Sequence, residues 1–201
     1  MTAAERMDAG LVARVAALEA ELAVLRRRVE ASAPDRTVPA SPYVLFEEGV
    51  QVAPDVRIVA ADEAHRVELL KGSALYRETE VMGPFRLGRR SFVNRGGFVQ
   101  GGVSIGTSVA IGPGVAIITD SHEIGQRHRR AGDRVHGPVV IEDGVWVGAS
   151  VTIVGPVTIG AGAIIAAGAV VVRDVPPDVV VGGVPARMLR AIEDVEGDVS
   201  G

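Results

Sequence analysis

Aliphatic residues recur every six positions through most of the chain, in two runs that share one phase. A period of six fits neither an α-helix nor an ordinary amphipathic strand, but it is the period of a β-solenoid. Each six-residue step is predicted to form one side of a triangular coil with one inward aliphatic side chain, and glycine often follows where a corner is expected. The aliphatic positions are Leu87, Val93, Val99, Ile105, Ile111 and Ile117, followed by Ile141, Val147, Ile153, Ile159, Ile165 and Val171.

The period is irregular at its beginning and is interrupted once. Val52 and Ile58 predict an early coil, the phase slips over residues 62–66, and it returns at three aliphatic positions, Leu69, Leu75 and Val81. Residues 119–138 lack the period and are rich in charged residues and histidine, so we predict that they leave the wall as a loop. Because excursions from solenoids commonly carry function, this loop is a candidate site. We predict a mainly β domain over residues 43–182 with this inserted loop.

The first 33 residues follow a different period. Apolar residues there are spaced alternately four and three apart, as at the a and d positions of a coiled coil: Leu11, Val15, Leu18, Leu22, Leu25 and Val29. Residues that would face each other in a parallel pair have opposite charges, Arg14 with Glu19 and Glu21 with Arg26. The spacing predicts a parallel coiled coil over residues 1–33, with two or three strands left open. The alternative is an amphipathic helix folded back on the solenoid.

The segments that flank the solenoid complete the organisation. Residues 34–42 contain three prolines and are predicted to be a linker. After residue 182 the sequence reads Gly-Val-Pro-Ala-Arg, and a proline suits the first turn of a helix. We therefore predict a short C-terminal helix and tail over residues 183–201, which would cap the open end of the solenoid.

Composition narrows the classes of partner. A net charge of −4 gives no general reason to expect binding to nucleic acid or to an anionic membrane. The longest apolar run, residues 161–172, is too short to cross a bilayer, and the N-terminus has no apolar signal core. The absence of cysteine excludes disulfides. We expect a cytoplasmic protein that has no membrane or nucleic-acid partner.

The sequence resembles the hexapeptide-repeat acyltransferases, and among them the sugar O-acetyltransferases of the maltose and galactoside type. Besides the six-residue period, the resemblance rests on Thr-Asp-Ser-His at 119–122, Asp-Gly-Val-Trp-Val-Gly at 143–148 and Gly-Gly-Val-Pro-Ala-Arg at 182–187. It extends from Val81 to about Ile192. It implies a left-handed parallel β-helix that uses acetyl-CoA as acyl donor and forms a homotrimer with sites between neighbouring subunits. The coiled coil would then be a three-stranded parallel bundle.

The resemblance assigns His122 as the general base that takes a proton from an acceptor hydroxyl. An imidazole suits this task near neutral pH, and direct attack on a thioester requires no covalent enzyme intermediate. Asp120, Glu123 or a backbone carbonyl could orient the ring, and the sequence does not choose among them. We interpret His65, His128 and His136 as ordinary surface histidines. The cluster Arg127–Arg130 either belongs to a solvated loop or attracts an anionic acceptor such as a sugar phosphate.

The same resemblance assigns the binding residues. Asn94 and Trp146 would lie beside the acceptor, although corner geometry and ordinary packing are alternatives for them. The donor would be held by six residues: Ala149, Ala167 and Gly168 along the pantetheine arm, and Arg173, Arg187 and Arg190 at the phosphates. The sugar acetyltransferases have an N-terminal segment that contributes acceptor contacts, whereas this chain has the heptad segment in its place. The identity of the acceptor therefore stays open.

Other functions are weighed against sugar O-acetylation. The same base and donor site would serve N-acetylation of a nucleotide-linked amino sugar or of an antibiotic. A zinc γ-carbonic anhydrase uses the same solenoid but needs three histidines that converge on one metal, and the spacing of histidines here does not match, so we expect no metal site. A non-catalytic trimeric scaffold would need neither His122 nor Trp146 nor Arg187.

Overall fold

The computed structural model describes Arg14 and residues 41–193. The predicted coiled coil of residues 1–33 lies outside the described residues, apart from Arg14. Over residues 41–193 the chain winds as a triangular prism whose walls are three sheets of short parallel strands. Successive strands pass from sheet A to sheet B to sheet C and back to sheet A, one coil at a time. We name the corners A–B, B–C and C–A after the sheets that they join.

The strands of this part of the chain fall into these walls. Sheet A contains β1 (Val44–Phe46), β4 (Val67–Leu69), β7 (Phe85–Leu87), β10 (Val103–Ile105), β15 (Val139–Ile141) and β18 (Val157–Ile159). Sheet B contains β2 (Gln51–Val52), β5 (Ala74–Leu75), β8 (Phe92–Val93), β11 (Ala110–Ile111), β16 (Trp146–Val147), β19 (Ile164–Ile165), β21 (Val179–Gly182) and β22 (Arg187–Ala191). Sheet C contains β3 (Arg57–Val59), β6 (Glu80–Met82), β9 (Phe98–Val99), β12 (Ala116–Ile118), β17 (Thr152–Val154) and β20 (Val170–Val171).

The core is a set of aliphatic columns inside the prism. Ile105 pairs in register with Leu87 on one side and with Ile141 on the other, and the other two walls repeat this arrangement. The twelve aliphatic residues of the six-residue period are each at most 1% exposed. The phase is preserved across the insertion because Ile141 lies directly above Ile105. The six-residue prediction is confirmed.

Glycine after the inward aliphatic residue is explained by the close approach of neighbouring coils. A Cβ atom on Gly112 would lie 2.7 Å from the carbonyl carbon of Gly148, and one on Gly148 would lie 2.6 Å from the amide nitrogen of Ala167. Real Cβ atoms do not approach backbone atoms so closely. Crowding of the backbone, and not a positive φ, therefore explains glycine at these two positions.

At the place where the six-residue period slips, the chain forms a short 3₁₀ turn over Glu63–His65. Asp62 caps this turn, since its side chain accepts hydrogen bonds from the amides of Ala64 and His65. The Asp62 carboxylate also accepts a hydrogen bond from the His65 ring at 2.7 Å, and this bond lowers the pKa of Asp62. Leu69, Leu75 and Val81 are buried directly after the turn, as the pattern predicts.

The inserted segment forms an antiparallel hairpin at the C–A corner. Its strands are β13 (Asp120–Ile124) and β14 (Ala131–His136), which pair with a bulge between His122 and Ile124. The amide of Gly137 donates to the carbonyl of Thr119 at 2.7 Å, so the chain leaves and rejoins the prism at one point. Both strands are largely exposed.

The prediction of a C-terminal helix is wrong for the described residues after Gly182. Residues 187–191 form β22 instead, which runs antiparallel to β21 at the end of sheet B. The physical reason is that β21 would otherwise leave its outer row of backbone groups unpaired, and a strand can satisfy those groups whereas a helix cannot. No helix in the described residues is both long enough and apolar enough to cross a membrane.

Burial predicts the effect of removing one member of an aliphatic column. Ile111 is fully buried, so Ile111→Ala should lower the free energy of unfolding by about 2–5 kcal/mol. Ile124, which is 90% exposed on the hairpin, provides a matched control: Ile124→Ala should change it by less than about 0.5 kcal/mol. Denaturant unfolding of both variants measures the difference, and equal losses would contradict the assignment of the core.

Candidate active site

A groove with a volume of about 440 Å³ runs along the outer face of sheet B to the B–C corner. The groove is lined by Phe92, Asn94, Trp146, Ala149 and Ala167, among others. The structure thus brings together both predicted acceptor residues and two of the predicted pantetheine residues. Gly168 directly follows Ala167 at the same corner.

The position of Trp146 follows from alternation along β16. Val147 points into the core and is fully buried, so Trp146 points outward, and its side chain is 57% exposed. The strand neighbours of Trp146 in register are Ala110 and Ile164. A small alanine beside the indole leaves room over the sheet. Trp146 is therefore a wall of the groove and not part of the core.

Two backbone amides at the part of the B–C corner that lines the groove are not used by the prism. In the equivalent corner positions of the preceding coils, Arg95 donates its amide to the Asn94 side chain at 2.8 Å, and Pro113 has no N–H. Within the described residues the amides of Ala149 and Ala167 have no hydrogen-bond acceptor. Because an unpaired amide needs a partner, both are available to a bound molecule.

His122 lies on β13 with its ring held by the opposite strand of the hairpin. The Nδ1 atom is 3.0 Å from the carbonyl oxygen of Gly132. A carbonyl oxygen only accepts, so Nδ1 carries the proton and Nε2 keeps its lone pair. Of the three orienting groups considered, the structure therefore selects a backbone carbonyl. Asp120 instead lies 3.1 Å from Nδ1 of His136.

Arg187 and Arg190 share the outward face of the C-terminal strand. Arg187 pairs with Gly182 and Arg190 with Val180, and these two partners lie on the same side of β21. Residues three apart on a regular strand would point to opposite sides. The register shift leaves Leu189 as an extra residue and restores the common face. The two arginines therefore share one face through a bulge in a strand, and not through the predicted helix.

Not all of the predicted residues meet within one chain. Arg173 follows β20 at the C–A corner, the corner from which the His122 hairpin also leaves. The groove that contains Asn94, Trp146 and Ala149 lies on sheet B and at the B–C corner. One chain therefore carries His122 and the groove on separate edges of the prism.

Two contributors were not predicted from the sequence. Phe92 lines the groove, and its position one residue before the inward Val93 could have indicated an outward ring. The carbonyl of Gly132 had no sequence signal, because the register of the hairpin decides which carbonyl faces His122. In the part of the chain that the structure describes, no group of three or more His, Asp or Glu side chains could hold a metal ion.

Comparisons with known proteins agree with this architecture. The family described as bacterial transferase hexapeptide (six repeats) matches residues 138–173. A crystal structure of a hexapeptide-repeat-containing acetyltransferase from Vibrio cholerae, complexed with acetyl-CoA, is 39% identical, covers 63% of this chain and 71% of that chain, and superposes with a TM-score of 0.58. The chain belongs to the hexapeptide-repeat acyltransferase family. The predicted left-handed β-helix is thereby confirmed for this member of the family.

Two further members of the family are sugar acetyltransferases by name. The galactoside O-acetyltransferase of Escherichia coli is 40% identical over 73 residues, which are 36% of this chain and 36% of that protein. A maltose O-acetyltransferase structure from Clostridium difficile is 26% identical, covers 80% of this chain and 81% of that chain, and has a TM-score of 0.54. Across the first curated relatives, the matching stretch spans between 36% and 56% of the relative's length.

The contact between His122 and Gly132 predicts a tautomer that can be observed. In the neutral ring the proton should reside on Nδ1, because only that nitrogen faces the carbonyl. Nitrogen-15 NMR correlation of the histidine rings distinguishes the two tautomers directly. A neutral His122 ring with its proton on Nε2 would show that the carbonyl does not orient the ring.

Proposed function

We propose that this protein is an acetyl-CoA-dependent O-acetyltransferase that acts on a hydroxyl group of a sugar or glycan-like acceptor. The observation that carries the proposal is the orientation of His122. Its Nδ1 is committed to the Gly132 carbonyl, which leaves Nε2 as a proton acceptor on an exposed hairpin. The names of the E. coli and C. difficile relatives support a sugar as the acceptor.

The chemistry needs one proton acceptor and one group that stabilises negative charge. Nε2 of His122 takes the proton of the acceptor hydroxyl as its oxygen attacks the thioester carbonyl carbon. The negative charge that develops on the carbonyl oxygen would be met by the unused amide of Ala149. The carbon–sulfur bond then breaks, and the departing thiolate takes the proton from His122. The sum is an acetyl ester and a free thiol.

Acetyl-CoA would lie along the part of the groove that reaches the B–C corner. The amide of Ala167 suits an amide carbonyl of the pantetheine arm, the amide of Ala149 meets the thioester end of the same arm, and Gly168 presents no side chain at the adjacent position. Arg187 and Arg190 share a face beyond this end of sheet B and would bind the phosphates. The V. cholerae relative was crystallised with acetyl-CoA, which supports this role. A cytoplasmic location fits the use of acetyl-CoA.

A complete site would require a second chain. His122 and Arg173 lie at the C–A corner, whereas the groove lies on sheet B and at the B–C corner. We infer that the hairpin of one chain reaches the groove of its neighbour in a homotrimer. Acceptor binding at Asn94 and Trp146 is then completed across this interface.

Replacement of His122 tests the proton transfer. His122→Ala should lower kcat by about 10²- to 10⁴-fold without changing the KM for acetyl-CoA, because general base catalysis contributes about that much. The measurement is release of free thiol from acetyl-CoA with a panel of sugars. His128 lies in the same hairpin and provides the control, His128→Ala, which should keep wild-type activity. Wild-type turnover by His122→Ala would refute the role of the imidazole.

Mixed oligomers test whether two chains build each site. The first variant is His122→Ala, and the second carries Arg187→Gln and Arg190→Gln, which should raise the KM for acetyl-CoA about tenfold by removing charge-assisted contacts to phosphate. Co-expressed chains should regain activity at low acetyl-CoA, since some sites then combine an intact hairpin with an intact groove. Activity no greater than the sum of the separate variants would contradict the shared site.

A further inference from the structure

A second cavity lies at the A–B corner, on the other side of sheet B from the B–C corner. It has a volume of about 570 Å³ and is lined by Lys71, Gly72, Arg89, Arg90 and Thr107. Three of these five residues are cations, and none is acidic. The remaining polar side chain is the hydroxyl of Thr107. A cavity with this lining suits a multivalent anion.

The charges of the cluster are only partly neutralised. Lys71 Nζ lies 2.7 Å from Glu48 Oε2, and Arg89 Nε lies 3.8 Å from Glu47 Oε2. Arg90 has no carboxylate within 4.0 Å among the described residues. Only Lys71 makes a close ion pair, the contact of Arg89 with Glu47 is long, and Arg90 has no carboxylate partner in the part of the chain that the structure describes.

The backbone of Arg90 adopts a conformation that residues other than glycine disfavour. Its φ is +58°, the left-handed region, where glycine occurs at the equivalent corner positions of other coils, such as Gly72 and Gly144. Among the five described non-glycine residues with positive φ, Arg90 is the only cation. Its Cγ lies 3.8 Å from the Cβ position of Gly72, so its side chain extends over the coil that carries Lys71. A cationic residue that keeps a strained backbone conformation is a reason to look for a function at that position.

The cavity and the groove adjoin the same coil. Arg90 lies two residues before Phe92 and four before Asn94, and both of these residues line the groove. Four extended residues span at most about 14 Å. A molecule with its sugar near Asn94 could therefore place a phosphate group near Arg90, with the Phe92 ring between them.

We propose that the acceptor carries a phosphate or pyrophosphate group, which the cluster of Lys71, Arg89 and Arg90 binds while the sugar occupies the groove. The substrate class is thus a sugar phosphate or a nucleotide sugar. This inference rests on the proposed acetyl transfer. Arginine and lysine together suit a tetrahedral anion with up to two charges better than a single carboxylate.

The cluster is separate from the residues proposed for the phosphates of the donor. Five strand spacings lie between β8, next to Arg90, and β22, the strand that contains Arg187 and Arg190. At about 4.8 Å per spacing, the two basic clusters are roughly 24 Å apart along the prism. The donor and acceptor would therefore approach the reaction centre from opposite ends.

The test uses Arg90→Gly with Ser108→Gly as its matched control. Both variants replace a positive-φ residue by glycine at the same corner position of neighbouring coils, so both should keep or raise the melting temperature. Only Arg90→Gly removes a cation. Calorimetric titration with inorganic pyrophosphate, with CoA present in excess to fill the donor cluster of Arg187 and Arg190, should show binding that is about tenfold weaker in Arg90→Gly and unchanged in Ser108→Gly. Absent binding in the wild type, or equal affinity in both variants, would overturn the anion site.

Kinetics then test whether the anion site serves the acceptor. Free thiol release is compared for galactose with galactose 1-phosphate and UDP-galactose, and for glucose and N-acetylglucosamine with their phosphates. The phosphorylated members should have the lower KM, and Arg90→Gly should remove this preference without raising the KM for acetyl-CoA. Equal use of neutral sugars, or a rise only in the KM for acetyl-CoA, would overturn the acceptor assignment. Absence of release with every acceptor would instead refute acetyl transfer, while pyrophosphate binding would still decide the anion site.

Discussion

The in-register stacking of one coil on the next is the constraint on which the rest of the structure depends. Each inward aliphatic side chain contacts the same kind of side chain one coil above and below, as Ile105 does with Leu87 and Ile141. Backbone hydrogen bonds between coils fix this register, and close contact at the corners excludes a side chain at positions such as Gly112. A slip of one residue would turn every column outward.

This constraint also creates the candidate site. The hydrogen bonds between stacked coils do not use the backbone amides of Ala149 and Ala167. Both of these amides lie at the B–C corner. The hairpin can depart from the stack because Thr119 and Gly137 close its base, so His122 is positioned by its own two strands. A rigid wall thus supplies fixed donors, and a separate hairpin supplies the base.

The sequence predicted what depends on periodicity and missed what depends on pairing. The six-residue period placed the core, the early coils and the site of the insertion, since one aliphatic residue per side is a direct consequence of the solenoid. The C-terminal strand was predicted as a helix because Pro185 suits the first turn of a helix. That local reasoning does not take into account the edge of β21, which needs a strand to pair with its backbone groups. The orienting carbonyl of Gly132 and the common face of Arg187 and Arg190 depend on register and on one bulge, which no local pattern encodes.

The antiparallel strand β22 has a consequence for the behaviour of the protein in solution. A stack of parallel coils has no natural end, since the last coil offers the same surface that the preceding coil used to bind it. An exposed edge of that kind invites another chain to add itself, and repeated addition yields fibres. β22 runs antiparallel to β21, so a strand of another molecule that added to β22 would not continue the parallel stack of coils. At this end of sheet B, β22 therefore covers the edge to which a further parallel strand would otherwise add.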